Sequence, residues 1–588
     1  MASSYEPKDP EKEAHLSSDF PPYDVEPAHH APNGLIAGIP AAELEGLTVY
    51  EKKCVLINRE IDNNGMGRYQ WYIWCLCGFG YFLDLLWAQA FGLVLSPLEQ
   101  ELGFSGKSSG NISVAFSSGL TAGAFVWGML VDIVGRRWAF NLTCLISAAF
   151  GLGLGACNSY PAFLVVTAFV GFGIGGNIPI DTTICLEFIP QNRRFLLALL
   201  SLFQPVGVAI CSAIAYGFIP KYSCSPNFSE AKPLPSCANV AAGVACCTRA
   251  SNMGWRYLMF TLGAITLGIF ILRFVVFNFK ESPKFLVYRG FDDKAVEVLQ
   301  HIAKTNNRPC GVTKEDFEAL TTEQDSTVSR TELLGAGKAQ LQTTMREKFF
   351  IEGARYKLLF KGWQMSRLTL LVWLTYICDF WGFTLAGTYL PTILALKNGA
   401  ISLTLKFTYR TYIAIYTPGI FGVLLGGLMY ALPNVGRKWT MVFSSGMMGI
   451  SIFVFSAVNT EASNIGLNVM EYFFQSMYAL PPPHPFGHDR PSDYHLLMLC
   501  RFNAVLYGWT PEVFPAPIRG TACGLASFWG RLFGIIAPLM AQSLIPTAGL
   551  HGDTQATNSI LYLAGGLTLG CVLTVALMPG KLLGGRSM

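Results

Sequence analysis

The sequence predicts an all-α membrane protein with twelve transmembrane helices in two six-helix, pseudo-symmetric halves. Apolar residues make up 52% of the 588 residues and charged residues only 14%, well below the roughly 25% that is typical of soluble domains. The charges are clustered, so apolar runs of about 20 residues remain between them, long enough to cross a bilayer as helices. Several short motifs also occur once in each half of the chain. The net charge of +4 is explained by arginines in loops and does not indicate nucleic-acid binding.

Six apolar spans precede a polar centre and six follow it. The first set lies near 70–95, 111–132, 138–156, 160–187, 195–219 and 256–279, and the second near 366–394, 411–432, 440–458, 465–514 (interrupted), 521–545 and 558–578. These sets define an N-terminal half, 67–280, and a C-terminal half, 366–578. We expect 1–66 to be a cytosolic tail, mostly disordered, with a short amphipathic helix around Leu44–Ile61. Residues 281–365 are too charged to enter lipid and are expected to form a central cytosolic loop with short helices, and 579–588 a short cytosolic tail.

Basic residues favour cytosolic N- and C-termini, because positive charge accumulates in cytosolic loops. With that orientation the short inner loops contain no acidic residue, and their basic residues are Arg136, Arg137, Arg193, Arg194, Arg437, Lys438 and Arg519. The outer loops mix a similar number of basic residues with several acidic ones over a greater length. The sequence therefore predicts an integral membrane protein with both termini inside.

Four cysteines lie together in the outer loop between spans five and six, whereas most of the other twelve lie inside apolar spans. They are Cys224, Cys237, Cys246 and Cys247. Disulfides persist on the extracytosolic side, and four cysteines allow three pairings, which the sequence leaves open. Asn227 begins an Asn-Phe-Ser glycosylation sequon in the same loop. A zinc site is the less favoured alternative, because no histidine or C-x-x-C pair accompanies the cysteines, and we expect no bound metal.

The stretch between spans two and three carries the most specific motif. It reads Gly128-Met-Leu-Val-Asp132-Ile-Val-Gly135-Arg136-Arg137. A tight turn between helices needs the glycines but neither the aspartate nor the paired arginines. This spacing resembles the signature between the second and third helices of the major facilitator superfamily of secondary transporters.

The two halves repeat each other at four points. Glu187-Phe-Ile-Pro-Gln-Asn-Arg-Arg194 ends span four, and Glu512-Val-Phe-Pro-Ala-Pro-Ile-Arg519 ends span ten. Gly436-Arg437-Lys438 repeats the end of the first motif, with Pro433 in place of its acid. Asp84 and Asp379 lie near the middle of spans one and seven, each followed by a proline 12 or 13 residues later. A duplicated six-helix unit explains these repeats and places a substrate site where the halves meet.

Three further segments narrow the resemblance. Glu281-Ser-Pro-Lys284 follows span six, Tyr507-Gly-Trp-Thr-Pro-Glu512 ends span ten, and Gly67-Arg-Tyr-Gln-Trp71 precedes span one. Together they resemble the fungal sugar-porter branch near synaptic-vesicle-related transporters. The resemblance implies that the signature residues form cytosolic salt bridges that stabilise the outward-open state. This gating set is Gly128, Asp132, Gly135, Arg136, Arg137, Glu187, Arg194, Gly436, Arg437, Lys438, Glu512 and Arg519. Phe195 departs from the family pattern by replacing the glycine expected after Arg194.

Acidic residues inside spans are the first candidates for the transport chemistry, because a carboxylate in the bilayer centre costs at least about 2.5–3.5 kcal/mol. Asp84 is the leading candidate for accepting a proton from an acidic exterior and releasing it inside, and Asp379 is its counterpart. The alternative is a static ion pair with a basic residue from another helix, for which Arg531 in span eleven is available.

Other polar or aromatic side chains within spans are candidates for the substrate cavity. They are Asn177, Asp181, Gln204, Trp381, Glu471 and Gln475. For Asn177 and Asp181, purely structural hydrogen bonding is an equal alternative. The stretch Gly171–Gly176 contains G-x-G-x-x-G, but no strand precedes it, so close helix packing explains it better than nucleotide binding.

Span ten is interrupted by a segment that cannot remain helical in lipid. Residues 478–501 contain three consecutive prolines, three histidines and an Asp-Arg pair, and prolines break helices. Without these residues a span of normal length would end at Glu512, matching span four. We therefore expect an insertion foreign to the family core, such as a translated unspliced intron, with a re-entrant loop as the alternative.

The sequence as a whole favours a proton-coupled symporter for a sugar, polyol or small organic acid, working by alternating access. A facilitative uniporter or an organic-ion or drug efflux antiporter is the alternative within transport, and a non-transporting nutrient sensor or vesicle protein the alternative of another class. No nucleophile–base cluster indicates an enzyme, and no cofactor is expected. The expected partners are a small-molecule substrate, protons and the lipid bilayer, with the chain a monomer. The plasma membrane is the expected location, with vacuolar or vesicular membranes as alternatives.

Overall fold

The computed structural model is almost entirely helical. It describes residues 35–36, 39–40, 49–104, 108–193, 195–230, 232–241, 243–276, 279–325, 359–360, 362–400, 404–421, 436–457, 460–475, 510, 519–544 and 554–578. A short antiparallel pair of strands, β1 (Leu35–Ile36) and β2 (Ile39–Pro40), precedes the helices.

The N-terminal half and the segment after it contain twelve helices. They are α1 (Val49–Asn64), α2 (Arg68–Leu102), α3 (Asn111–Val134), α4 (Arg136–Ala156), α5 (Tyr160–Gly175), α6 (Asn177–Phe188), α7 (Phe195–Leu199), α8 (Phe203–Phe218), α9 (Gly254–Ile271), α10 (Pro283–Tyr288), α11 (Asp292–Thr305) and α12 (Lys314–Asp325). A π-helical turn, Leu272–Val276, continues α9. Each predicted span of this half coincides with helical structure, with span four divided at Gly176.

The described part of the C-terminal half contains six helices. They are α13 (Trp363–Ala400), α14 (Leu405–Tyr416), α15 (Gly436–Ala457), α16 (Glu461–Gln475), α17 (Arg519–Leu544) and α18 (Thr554–Ala576). Across the described residues, six helices of the whole chain are long and apolar enough to cross a membrane. The expected insertion, 478–501, lies outside the described residues.

The first span is longer than its apolar run predicts. The predicted span ends at 95, whereas α2 continues to Leu102 through Glu99 and Glu101. The helix tolerates Glu101 because its carboxylate forms a buried 2.7 Å ion pair with Arg256 and accepts a hydrogen bond from Trp255 Nε1 at 2.9 Å. A hydrophobicity pattern treats such acids as a helix end because it does not include their partners.

The glycine-rich end of span four serves close packing. A Cβ at Gly171 or Gly175 would overlap the backbone carbonyls of Phe116 and Leu120 on α3. Small residues let two helix backbones approach in a bilayer, where no hydrophobic effect drives helices together. The packing interpretation of this motif therefore agrees with the structure.

A helical subdomain lies beneath one end of the N-terminal half and includes α1 and α10–α12. Leu56, Ile57 and Ile61 of α1 are buried against it. Lys53 Nζ of α1 lies 2.6 Å from Asp292 Oδ2 of α11. The helix in the N-terminal tail thus begins five residues later than expected and is packed, not a free amphipathic segment. We call this end of the molecule the α1 end.

The opposite end carries the loop between α8 and α9, which two disulfides stabilise. The structure joins Cys224 to Cys247 and Cys237 to Cys246, which selects one of the three possible pairings. The loop is docked on the end of α2, where Gln100 Nε2 donates to the carbonyl of Pro226 at 2.9 Å. We call this end the disulfide end.

The described contacts between the two halves lie toward the disulfide end. Three hydrogen bonds cross there: Tyr409 Oη donates to Leu93 O at 2.8 Å, Gln542 Nε2 to Asn111 Oδ1 at 2.9 Å, and Arg531 Nη1 to Leu120 O at 3.0 Å. Two of the three acceptors are main-chain carbonyls of helices, which have a second lone pair to offer. The halves are thus joined by polar contacts as well as by apolar packing.

Candidate functional site

Asp84 lies in the middle of α2 and is half-buried. Gln204 Nε2 of α8 donates a hydrogen bond to Asp84 Oδ2 at 3.2 Å, and Gln204 itself is buried. The structure therefore brings together two of the predicted cavity residues from different helices. An amide donor is compatible with both the charged and the protonated carboxyl, because a carboxyl group keeps an acceptor oxygen in either state.

Asp181 lies deeper than Asp84 and is fully buried. Its Oδ2 lies 3.6 Å from Nη2 of Arg273, and both side chains are 0% exposed. Arg273 is further held by the carbonyls of Leu76 and Phe140, at 2.9 and 3.2 Å. Asp181 thus belongs to an ion pair inside the N-terminal half and does not line an open cavity.

Asn177 is also enclosed, at 1% exposure. Neither atom of its amide group has a hydrogen-bond partner among the described residues. It begins α6, directly after the break at Gly176. An enclosed amide without a partner is energetically costly, so Asn177 remains a candidate for contact with a substrate or water.

The C-terminal half places three candidates near its centre. Asp379 of α13 is 9% exposed, and so is Arg531 of α17. Trp381 of α13 stacks at a tilt against Phe533 of α17, with ring centroids 5.3 Å apart. The guanidinium of Arg531 donates to Leu120 O of the other half. The side chains of the remaining candidates, Glu471 and Gln475, lie outside the described residues although α16 contains both.

The signature motif forms an ion pair at the α1 end. Gly135 adopts a φ of 102° between α3 and α4, a conformation that favours glycine. Arg136 Nη2 then lies 3.3 Å from Glu187 Oε1 of α6. The motif arginine and the glutamate that ends span four therefore meet. This contact lies within one half and does not cross to the other.

Glu281 completes this cluster. Its carboxylate accepts hydrogen bonds from the main-chain N–H groups of Arg136 at 2.9 Å and Arg137 at 3.2 Å. The guanidinium of Arg136 also lies 4.5 Å from the ring centroid of Phe285 on α10. The N-terminus of α4 is thereby capped by a negative charge, which the helix dipole favours.

The other gating residues are described only in part or not at all. Helices contain Gly128, Asp132, Gly436, Arg437, Lys438 and Arg519, but only the helical backbone is described at these positions. Arg194 and Glu512 lie outside them altogether. Their salt bridges stay a prediction.

Two buried arginines contribute to this arrangement although neither was among the candidates. Arg273 and Arg256 lie in span six and are 0% and 1% exposed. The signal was present in the sequence, because an ionisable residue inside an apolar span needs a partner. Their partners, Asp181 and Glu101, are distant in sequence, so the pairing required the fold. Among the described residues no cluster of histidine, cysteine and acidic side chains could hold a metal ion.

Two packed helical halves, buried charges within membrane-length helices and a signature ion pair at one end define a secondary transporter. The profile of the Major Facilitator Superfamily matches residues 77–481. The chain belongs to this superfamily and is therefore a membrane transporter of small molecules.

Relatives extend the match over most of the chain. The MFS siderochrome iron transporter 1 of Ceriporiopsis subvermispora (strain B) is 34% identical over 90% of this chain and 91% of its own length. The niacin transporter NiaP of Acinetobacter baylyi is 24% identical over 84% and 92%. Synaptic vesicle glycoprotein 2A of Rattus norvegicus is 29% identical over 42% of this chain and 31% of its own, so the predicted synaptic-vesicle-related resemblance is confirmed.

A solved structure shows the same fold. The inward-open xylose transporter XylE from E. coli superposes with a TM-score of 0.58 at 14% identity, over 87% of this chain and 96% of that one. The predicted fold class, two six-helix halves of the major facilitator type, is thus confirmed.

Proposed function

We propose that the chain is a proton-coupled symporter for a small polar solute, a sugar, polyol or organic acid, and that Asp84 carries the coupling proton. The observation that carries the proposal is the half-buried Asp84 carboxyl in mid-helix, hydrogen-bonded by Gln204 of a second helix. A carboxylate at this depth is expensive to keep charged. Proton exchange is a functional reason to keep Asp84 at this depth, because its carboxyl would gain and lose a proton as the cavity changes its exposure.

The C-terminal half supports the polar character of the solute. Arg531 is a buried cation at the boundary between the halves, and a guanidinium suits a carboxylate group. Trp381 and Phe533 offer a flat apolar face beside it. The organic acids are therefore the part of the proposed range that these side chains fit best. The names of two relatives, an iron–siderochrome and a niacin transporter, add two solutes worth testing.

The ion pairs and the disulfides support an orientation in the membrane. We place the α1 end and both termini in the cytosol, with the disulfides and glycosylated Asn227 outside. Contacts between halves near the disulfide end are then typical of an inward-facing transporter. Breaking the Arg136–Glu187 pair would shift the state populations and not the choice of solute. The remaining proposals are a plasma-membrane location, with vacuolar or vesicular membranes as alternatives, and a monomeric chain.

Proteoliposome uptake tests the proposal. Labelled xylose, nicotinate and an iron–siderochrome complex are supplied with and without an inward proton gradient. For one proton per solute, one pH unit of gradient drives accumulation of at most about tenfold. We expect Asp84→Asn to reduce accumulation to equilibration, and Asp293→Asn, an exposed carboxylate on α11, to leave it intact.

The outcomes separate the alternatives. Accumulation that persists in Asp84→Asn would overturn the coupling role. Uptake that ignores the gradient in the unaltered protein indicates a uniporter, and gradient-driven export indicates an efflux antiporter. Binding of a solute without any transport indicates a sensor or vesicle protein. Asp379→Asn measured in the same assay tells whether the second carboxylate shares the role of the first.

A further inference from the structure

The Asp181–Arg273 ion pair is the most completely enclosed of the ion pairs described in the N-terminal half. Arg273 lies in the π-helical turn that continues α9, and such turns occur frequently at functional sites. Its guanidinium stacks 3.8 Å from the ring centroid of Phe140 and bonds to two main-chain carbonyls. Asp181 has no such support, because its carboxylate oxygens accept no hydrogen bond from the described residues. The arginine is therefore anchored, and the carboxylate is held mainly by charge.

The Asp181–Arg273 pair packs against the turn of α2 that precedes Asp84. A Cβ at Gly80 would overlap Asp181 Oδ2, so the carboxylate touches the α2 backbone one helical turn, about 6 Å along the axis, before Asp84. Thr182, next to Asp181, exchanges a 2.9 Å hydrogen bond with the hydroxyl of Tyr81. Asp181 and Asp84 are close enough for their charges to interact.

Both charges of the pair lie against the same turn of α2. A Cβ at Gly80 would overlap Asp181 Oδ2 and would also come too close to Arg273 Nη2. Arg273 Nη2 donates a hydrogen bond to the carbonyl of Leu76, which in a helix points toward residue 80. The two charges therefore act on Asp84 from the turn that precedes it.

Among the described residues, the other titratable groups facing the pair are thiols and one phenol. They are Cys77 and Tyr81 of α2, Cys144 of α4 and Cys185 of α6. Cys144 Sγ accepts a hydrogen bond from Arg273 Nη1 at 2.9 Å. These groups add no formal charge near neutral pH, because the reference pKa values of thiols and phenols lie above 8. The field at Asp84 from this side of α2 is thus set by the ion pair.

We propose that Asp181 and Arg273 act as a positioning pair that fixes the Gly80–Asp84 turn and sets the pH range in which Asp84 exchanges its proton. This inference rests on the proposed coupling role of Asp84. A negative charge near a carboxyl favours its protonated form, and an anchored positive charge opposes it. At an effective dielectric constant of about 20 and a separation of about 8 Å, removing one charge shifts the midpoint by about 1.5 pH units.

Infrared difference spectroscopy of the purified full-length protein tests the proposal without a known substrate. The stretch of the protonated carboxyl group is titrated with pH, and the Asp84 band is assigned by its loss in Asp84→Asn. We expect Asp181→Asn to move the Asp84 midpoint toward acid and Arg273→Met to move it toward alkali. The double variant should lie between the two single variants, because it removes both charges and their opposing effects on Asp84. Arg273→Lys, which keeps the charge, should shift the midpoint less than Arg273→Met.

The matched control is the other buried ion pair of the N-terminal half, formed by Glu101 of α2 and Arg256 of α9. Glu101→Gln and Arg256→Met each remove one partner of this pair, which is nearly as enclosed. Glu101 lies 17 residues, about 25 Å along α2, from Asp84, so both variants should leave the midpoint in place. If single variants of the Asp181–Arg273 pair do not fold, the charge-neutral double variant and Arg273→Lys still test the proposal, because the double variant removes both charges beside Asp84 and Arg273→Lys keeps them. An Asp84 band whose midpoint is the same in all variants would overturn the positioning role and leave the coupling role standing. If no titrating band depends on Asp84, the coupling role fails as well.

Discussion

Glu281 shows at the scale of a single residue how a loop segment fixes the signature motif. The first N–H groups of a helix have no partner within it, and α4 begins directly after the turn at Gly135. Glu281 supplies the missing acceptor to Arg136 and Arg137, while Glu187 receives the side chain of Arg136. Two carboxylates thus hold one arginine residue, one through its backbone and one through its guanidinium.

Replacing Glu281 by alanine should loosen this junction. The change leaves two main-chain N–H groups at the start of α4 without their acceptor, at a cost of about 1–3 kcal/mol. We expect amide hydrogen exchange at residues 136–140 to accelerate about tenfold or more. Glu297→Ala removes an exposed carboxylate from α11 and should leave those rates unchanged. Equal exchange in both variants would show that Glu281 does not cap α4.

Residue types in the site were predictable, whereas their pairings were not. The cost of a charge in lipid identifies Asp84 and Asp181, and the motif spacing identifies Arg136 and Glu187. Which residue faces which depends on how neighbouring helices are rotated. Asp181 therefore proved to be an enclosed partner of Arg273, and Arg531 proved to bond to the backbone of Leu120.

Among the elements, α1 differs most from its expected character. Its apolar residues are buried, but so is Glu60, which is 4% exposed. The Glu60 carboxylate accepts hydrogen bonds from Asn64 Nδ2 at 2.9 Å and from Gly311 N at 3.3 Å. A helix with a polar overall composition can dock when its few charges find such partners. Composition alone favours a disordered tail.

The docking of α1 should weaken as pH rises. Burial raises the pKa of Glu60, and the hydrogen bonds from Gly311, Cys310 and Asn64 only partly offset this effect. A raised pKa in the docked state means that docking favours the protonated form. The stabilisation is therefore complete below the ordinary glutamate pKa of about 4.3 and is lost as pH rises through the higher docked value.

Hydrogen exchange of residues 49–64, corrected for the intrinsic rate, measures this effect. We expect opening to increase as pH rises above the ordinary glutamate pKa of about 4.3, by at most about tenfold per pH unit for one linked proton. Glu60→Gln keeps an acceptor without the charge and should flatten the dependence, whereas Glu318→Gln on the exposed side of α12 should not. A slope that survives in Glu60→Gln assigns the effect to another group.

Helix lengths illustrate where periodicity and hydropathy stop being informative. The spans of the N-terminal half follow from apolar runs, because lipid requires every backbone group to be satisfied within a helix. The end of α2 does not follow from an apolar run, because the helix continues through Glu101, which pairs with Arg256. The same reasoning applies to α13, whose Lys397 reaches the carbonyl of Phe455 at 2.5 Å. Charged residues end an apolar run in the sequence but not the helix in the fold.

At the scale of the whole molecule, the halves were predictable as units and their relative state was not. Internal duplication in the sequence indicates two similar six-helix bodies, and the fold confirms them. The sequence is the same in every state of the transport cycle, so it does not indicate which end is closed. The described hydrogen bonds between the halves show instead which residues meet across the interface.

Removing one hydroxyl should shift the balance between these states. Tyr409 Oη donates to Leu93 O of the other half at 2.8 Å, and Tyr409→Phe removes this bond while keeping the buried ring. A hydrogen bond contributes about 1 kcal/mol net, which corresponds to roughly a fivefold change in the ratio of conformations.

Non-cysteine spin labels at Lys221 and Lys406, exposed on opposite halves, report the distance across the disulfide end. We expect the longer distances to gain population in Tyr409→Phe. Tyr562→Phe, which alters a half-exposed ring on α18, should reproduce the unaltered distribution. Should both variants give that same distribution, the Tyr409 bond does not hold the halves together, and closure of this end must depend on the apolar packing around it.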